Sequence, residues 1–159
     1  MAIWIIDFEA YQVHGDFYPL EITLLNAQDV QECFHFYIYY PRDHYNNLTI
    51  KFQFRQHGIK WGDGDDTMAS ALEKLHRQVW NGDTIYVKGG QKTELVNLWF
   101  PKNTVIDLME LRKYLSMKSC REHTCDFHKK DVALNCSRRK AFTLLPYVLQ
   151  RINISGEVD

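Results

Sequence analysis

The spacing of apolar positions changes along the chain, from a period of two near the start to a helical period later. Residues 3–11, Ile-Trp-Ile-Ile-Asp-Phe-Glu-Ala-Tyr, read as a strand whose alternation puts Asp7 and Glu9 on one face near its end. His14-Gly15-Asp16 is a turn. Residues 18–26 read as a second strand, with Glu21 set among apolar neighbours. Residues 33–40, Cys-Phe-His-Phe-Tyr-Ile-Tyr-Tyr, alternate aromatic and aliphatic side chains and form a third strand, ended by Pro41. Short turns between three strands predict a meander.

Downstream the pattern alternates. A short helix is expected over 46–56 and a loop over 58–66. The acids of that loop lack the bidentate Glu a calcium loop needs at its twelfth position, which excludes an EF-hand. Asp66 or Thr67 caps a helix running to about Trp80, with Met68, Ala71, Leu72, Leu75 and Val79 on one side and Asn81-Gly82 as its stop. A strand over 84–88, a helix over 92–99, a strand over 105–108 and a short helix over 108–116 follow. Residues 117–130 read as a loop. The last helix is expected over 131–151, bent near Pro146. This order predicts an α/β fold: a mixed five-stranded sheet, built as a three-strand meander followed by alternating helices and strands, and flanked by helices. Repeats, linkers and low-complexity tracts are absent, so residues 1–159 read as a single domain.

Composition fits that reading. The chain is 45% hydrophobic and 25% charged, enough to fill a core and too apolar for disorder. No stretch approaches the roughly 20 apolar residues of a membrane span, and Met1 to Ile6 is too short for a signal peptide. An intracellular location, cytoplasmic or nuclear, is expected. The net charge of −1 hides an asymmetry: residues 112–151 carry ten Lys and Arg against three acids. A basic third on an acidic body suggests a surface for a polyanion, with aromatics interleaved as nucleic-acid binding requires.

Three of the four cysteines crowd into positions 120–136, which favours a metal over disulfides. Cys125-Asp-Phe-His128 and Cys136 give a Cys-x2-His-x7-Cys spacing, and thiolate with imidazole is the donor set zinc prefers. Three ligands are not four. Cys120 and His123 are nearby rivals.

The order of elements is that of the ribonuclease H-like layout, and Asp7-x-Glu9 resembles the opening motif of the DEDD 3′–5′ exonucleases. Those enzymes hold two divalent metals with acidic side chains. Here the further acids are poorly matched: Glu94 and Asp107 are the candidates, and Cys136 stands where the last helix of an exonuclease offers an acid. The chain more closely resembles the Maelstrom domain, a ribonuclease H-like relative with a Glu-Cys-His-Cys zinc site. The resemblance is carried by Phe17-Tyr-Pro-Leu-Glu21-Ile, Phe34 to Pro41, Ile85-Tyr-Val-Lys88 and Cys125-Asp-Phe-His128…Cys136. It implies a structural zinc held by Glu21, Cys125, His128 and Cys136. It also implies binding of single-stranded RNA, protein partners in a silencing complex, and a setting in small-RNA and transposon silencing.

On this reading Lys88, Lys92, Arg138, Arg139 and Lys140 would meet phosphates. Weak internal RNA cleavage is the most turnover expected. The alternatives are a magnesium-dependent exonuclease using Asp7, Glu9 and Glu94 or Asp107, and a catalytically inactive interaction module.

Overall fold

In a computed structural model of the chain, residues 1–13, 15–41, 62, 64–110 and 136–155 are described. A five-stranded mixed sheet runs through them. Its strands are β1 (Ile3–Val13), β2 (Asp16–Asn26), β3 (Cys33–Tyr37), β4 (Thr84–Val87) and β5 (Thr104–Asp107). Their spatial order is β3-β2-β1-β4-β5. The first three pair antiparallel as the meander, and β4 and β5 join parallel on the other side of β1. The expected third strand stops three residues early. Ile38 instead makes an isolated parallel bridge to Asp66, and Tyr39 N–H donates to the Asp66 carbonyl. The close approach depends on Gly64: a Cβ there would fall 2.2 Å from the Ile38 carbonyl carbon.

Three helices complete the described chain: α1 (Met68–Gln78), α2 (Gly90–Trp99) and α3 (Ser137–Ser155). Thr67 caps α1, its hydroxyl accepting from Ser70 N–H at 3.1 Å. A single 3-10 turn over Leu108–Glu110 follows β5. The helix expected over 46–56, most of the short helix over 108–116, the loop over 117–130 and positions 131–135 lie outside the described residues, while Cys136, expected inside the last helix, stands just before it. Pro146 lies inside α3 on its exposed side.

The period of two in β1 divides the core. Trp4, Ile6 and Phe8 face α1 and α2 and pack with Ala71, Leu75, Val79, Val96 and Phe100. Ile3 and Ile5 face α3 and pack with Ala141, Leu144, Val148 and Ile152. Helices therefore cover both faces, the arrangement that buries a sheet apolar on both sides.

Buried Asp83 fastens the start of β1 to the end of α1. Its carboxylate accepts from Ala2 N–H, the Trp4 indole and Trp80 N–H, each at 3.0 Å. Among the described residues no helix is long and apolar enough to cross a membrane.

Candidate functional site

Odd positions of β1 and β2 face α3, so the polar residues among them form a grid under that helix. Register pairs Asp7 with Thr23 and Thr23 with His35, and Glu9 with Glu21 and Glu21 with Tyr37. Three carboxylates thus come together on adjacent strands, with Glu9 and Glu21 directly opposite. Like charges placed so closely repel, and burial would make them costlier still. Two helices supply the compensation.

Lys92, in the first turn of α2, donates to Asp7 Oδ1 at 2.7 Å and lies 4.0 Å from Glu9 Oε1. Its ammonium also stands 5.4 Å from the Phe8 ring centroid. Lys140, in the first turn of α3, donates to Glu9 Oε1 at 2.6 Å. Asp7 is 2% exposed, and its second oxygen, Oδ2, is buried with no hydrogen-bond partner among the described residues. Burial pushes the Glu9 carboxyl above the usual carboxylate range against the pull of Lys92 and Lys140, and Asp7 adds to the rise. Burial pulls the Lys140 ammonium down, but Asp7, Glu9 and Glu21 outweigh it and hold it above its ordinary value.

Glu21 forms a second knot one strand over. It is fully buried. Ser137 N–H donates to its Oε1 at 2.6 Å, and His35 Nε2 donates to its Oε2 at 2.7 Å. The Cys136 thiol lies 3.7 Å from the same Oε2. Beside them Thr23 and Ser137 share a hydroxyl–hydroxyl bond of 2.8 Å. No acidic residue stands in the first turn of α3, so a carboxylate from β2 satisfies its first amide and meets the positive end of the helix dipole.

The zinc set implied by resemblance can be tested on the half that is described. A carboxylate oxygen and a thiolate on one tetrahedral zinc stand about 3.5 Å apart, so Glu21 and Cys136 fit a common ion. An imidazole nitrogen and a carboxylate oxygen on one ion stand about 3.3 Å apart. His35 is closer than that, at hydrogen-bond distance, which suits a residue orienting Glu21 rather than a ligand beside it. Cys125 and His128 lie outside the described residues, as do the rivals Cys120 and His123. Within the described residues alone, no group of three acids, histidines and cysteines has the form of a metal site.

The remaining candidates are dispersed. Asp107 Oδ1 accepts from Gly89 N–H and Met109 N–H, each at 2.9 Å, so it shapes the β4–α2 turn and the 3-10 turn rather than joining Asp7. Gly89 adopts φ of 111° there, which a residue with a Cβ rarely does. Glu94 is exposed on α2.

The five basic candidates do not make one patch. Lys92 and Lys140 turn onto carboxylates instead of outward, supplying the counter-charge that buried Asp7 and Glu9 require. Arg139 is 5% exposed. Arg138 meets the Cys33 thiol, which burial pushes up although the guanidinium opposes the shift. Consecutive helix residues point about 100° apart, so the Arg138-Arg139-Lys140 run cannot face one way. Lys88 is half-buried at the end of β4.

No protein-family model matches the chain, and no curated protein matches it. The pairing partners of the carboxylates, and the roles of His35 and Ser137, are not legible in the sequence. One signal was available: Lys92 stands in the first turn of the helix expected over 92–99, where the dipole disfavours a cation and asks for a local reason.

Proposed function

We propose that the chain is a ribonuclease H-like domain of the Maelstrom type: a zinc-stabilised module that binds single-stranded RNA and performs no two-metal hydrolysis. The sheet order, with β1 central, an antiparallel meander on one side and parallel strands on the other, supports the ribonuclease H-like part.

The observation that carries the reading is Glu21 against Cys136 and the Ser137 amide at the start of α3. On this reading Glu21, Cys125, His128 and Cys136 hold a structural zinc that ties the last helix to the second strand. Four protein ligands leave no open position for water, so the zinc contributes folding free energy rather than chemistry. The exonuclease-like pair, Asp7 and Glu9, is occupied by lysine ammonium groups, which disfavours magnesium hydrolysis at that point. RNA would be held by phosphate contacts from Lys88, Arg138 and basic residues of the 112–130 segment, with little sequence preference.

Two measurements on one preparation test this. Elemental analysis of protein purified without chelator is expected to find one zinc per chain. A time course on end-labelled single-stranded RNA is expected to show salt-sensitive binding without stepwise loss from the 3′ end. Zinc-free folded protein would remove the zinc module. A magnesium-driven ladder abolished by Asp7→Ala would replace the reading with the exonuclease one.

A further inference from the structure

The end of β1 carries a pair of carboxylates of the kind that divalent cations use, held by ammonium groups instead. Asp7 and Glu9 share a face, and Asp7 Oδ2 is buried without a partner among the described residues. Magnesium and manganese commonly bind through one or two carboxylates and keep several waters, so this pair suffices in kind. Two ammonium groups, one from the first turn of each of two helices, lie at 2.7 Å and 2.6 Å from these carboxylates. The two ammonium groups offset the charge of this pair, while Glu21 opposite Glu9 has its own donors in His35 and Ser137. The ammonium groups also fill the space next to the oxygens that a bound ion would need, and a divalent ion there would repel both.

The geometry points to Lys92 and Lys140 as built-in counter-cations of the Asp7–Glu9 pair: they exclude divalent ions from the wild-type chain, and removing both ammonium groups creates a divalent-cation site. The lysines come from different helices, α2 and α3, so one resident cluster also fastens both helices to β1. A diffusible ion could do this only while bound. The inference deepens one part of the proposed function, the absence of two-metal hydrolysis at Asp7 and Glu9, and its failure would leave the zinc and RNA parts standing.

The test uses Mn2+ as the probe, read by the loss of the free-ion electron paramagnetic resonance signal. This readout sees neither zinc nor catalysis. The proteins are the wild-type chain, Lys92→Met/Lys140→Met, and that double variant carrying Asp7→Asn. The double variant is expected to bind Mn2+ about ten-fold or more tightly than wild type, as an unneutralised carboxylate pair should. Asp7→Asn is expected to remove the gain.

A folded double variant with no gain would overturn the inference. So would wild-type protein that binds Mn2+ in a manner abolished by Asp7→Asn. If the double variant fails to fold, Lys140→Met alone serves, because that side chain is 37% exposed and the substitution keeps its apolar stem. A smaller gain that depends on Asp7 is then expected, and no gain would overturn the inference equally.

Discussion

Glu9 and Lys140 stand 131 positions apart in sequence, yet Lys140 Nζ donates to Glu9 Oε1 over 2.6 Å. This contact and the neighbouring Glu21–Ser137 bond join the start of α3 to β1 and β2. The helix is thus positioned by polar contacts at its first turn and by apolar packing along the rest of its length.

Alkaline pH should dissolve the first of these. The Lys140 ammonium is held above its ordinary value of 10.5, so the folded chain binds that proton more tightly than the unfolded chain does. The resulting stability is fully present below that ordinary value and is lost as pH rises through the higher folded value. Lys140→Met should therefore lower stability at neutral pH by about 1 kcal/mol, a figure reduced for the partial exposure of the ammonium. Urea unfolding at a series of pH values checks this, with the two proteins expected to converge on the alkaline side.

Metal removal gives a larger expected effect. If zinc joins Glu21 and Cys136, chelation should destabilise the fold by an amount on the order of 10 kcal/mol, enough to unfold most of the protein. Cys136→Ser and Glu21→Ala should each lose bound zinc. His35→Ala should keep zinc at reduced affinity, by about 10- to 100-fold, as expected for a residue that only orients a ligand. Competition with a chromophoric chelator separates these outcomes.

Basic residues should divide into two groups in an RNA-binding assay. Lys88→Glu and Arg138→Glu are expected to weaken single-stranded RNA binding similarly across sequences. Removing a single phosphate interaction should flatten the salt dependence by about one in log–log slope. Arg139→Glu is expected to fail earlier, by placing a carboxylate where the arginine is 5% exposed. Circular dichroism beside filter binding distinguishes weaker RNA affinity from unfolding.

Asp83 should prove important to stability although it lies away from the carboxylate cluster. Asp83→Ala orphans the Trp4 indole and the Ala2 and Trp80 amides together. A cost of about 3 kcal/mol is expected, because hydrogen bonds to a charged acceptor are individually strong and the carboxylate is buried. The shift in urea midpoint measures it.

Much of the architecture was legible in the chain. The period of two placed Asp7 and Glu9 on one face, and the structure keeps them there because every second residue of β1 must point toward α3. The apolar face of α1 followed from local chemistry alone, and its cap was narrowed to Asp66 or Thr67, of which the structure uses Thr67. Strand ends were less legible. Ile38 leaves β3 to bridge Asp66, a preference set by the glycine approach of a segment far along the chain.

The partners of the charged groups belong to tertiary structure. In sequence, Lys92 and Lys140 are basic residues in two separate helices, and an outward, solvated position is the ordinary expectation. Only the sheet order brings β1 under both helix starts, and only the burial of the carboxylates there calls for a counter-charge that the lysines supply. The sequence could show that Glu21 was a carboxylate among apolar neighbours and so needed a partner. Which partners it found, His35 from the adjacent strand and Ser137 from the last helix, depended on register and packing between segments that no local pattern connects.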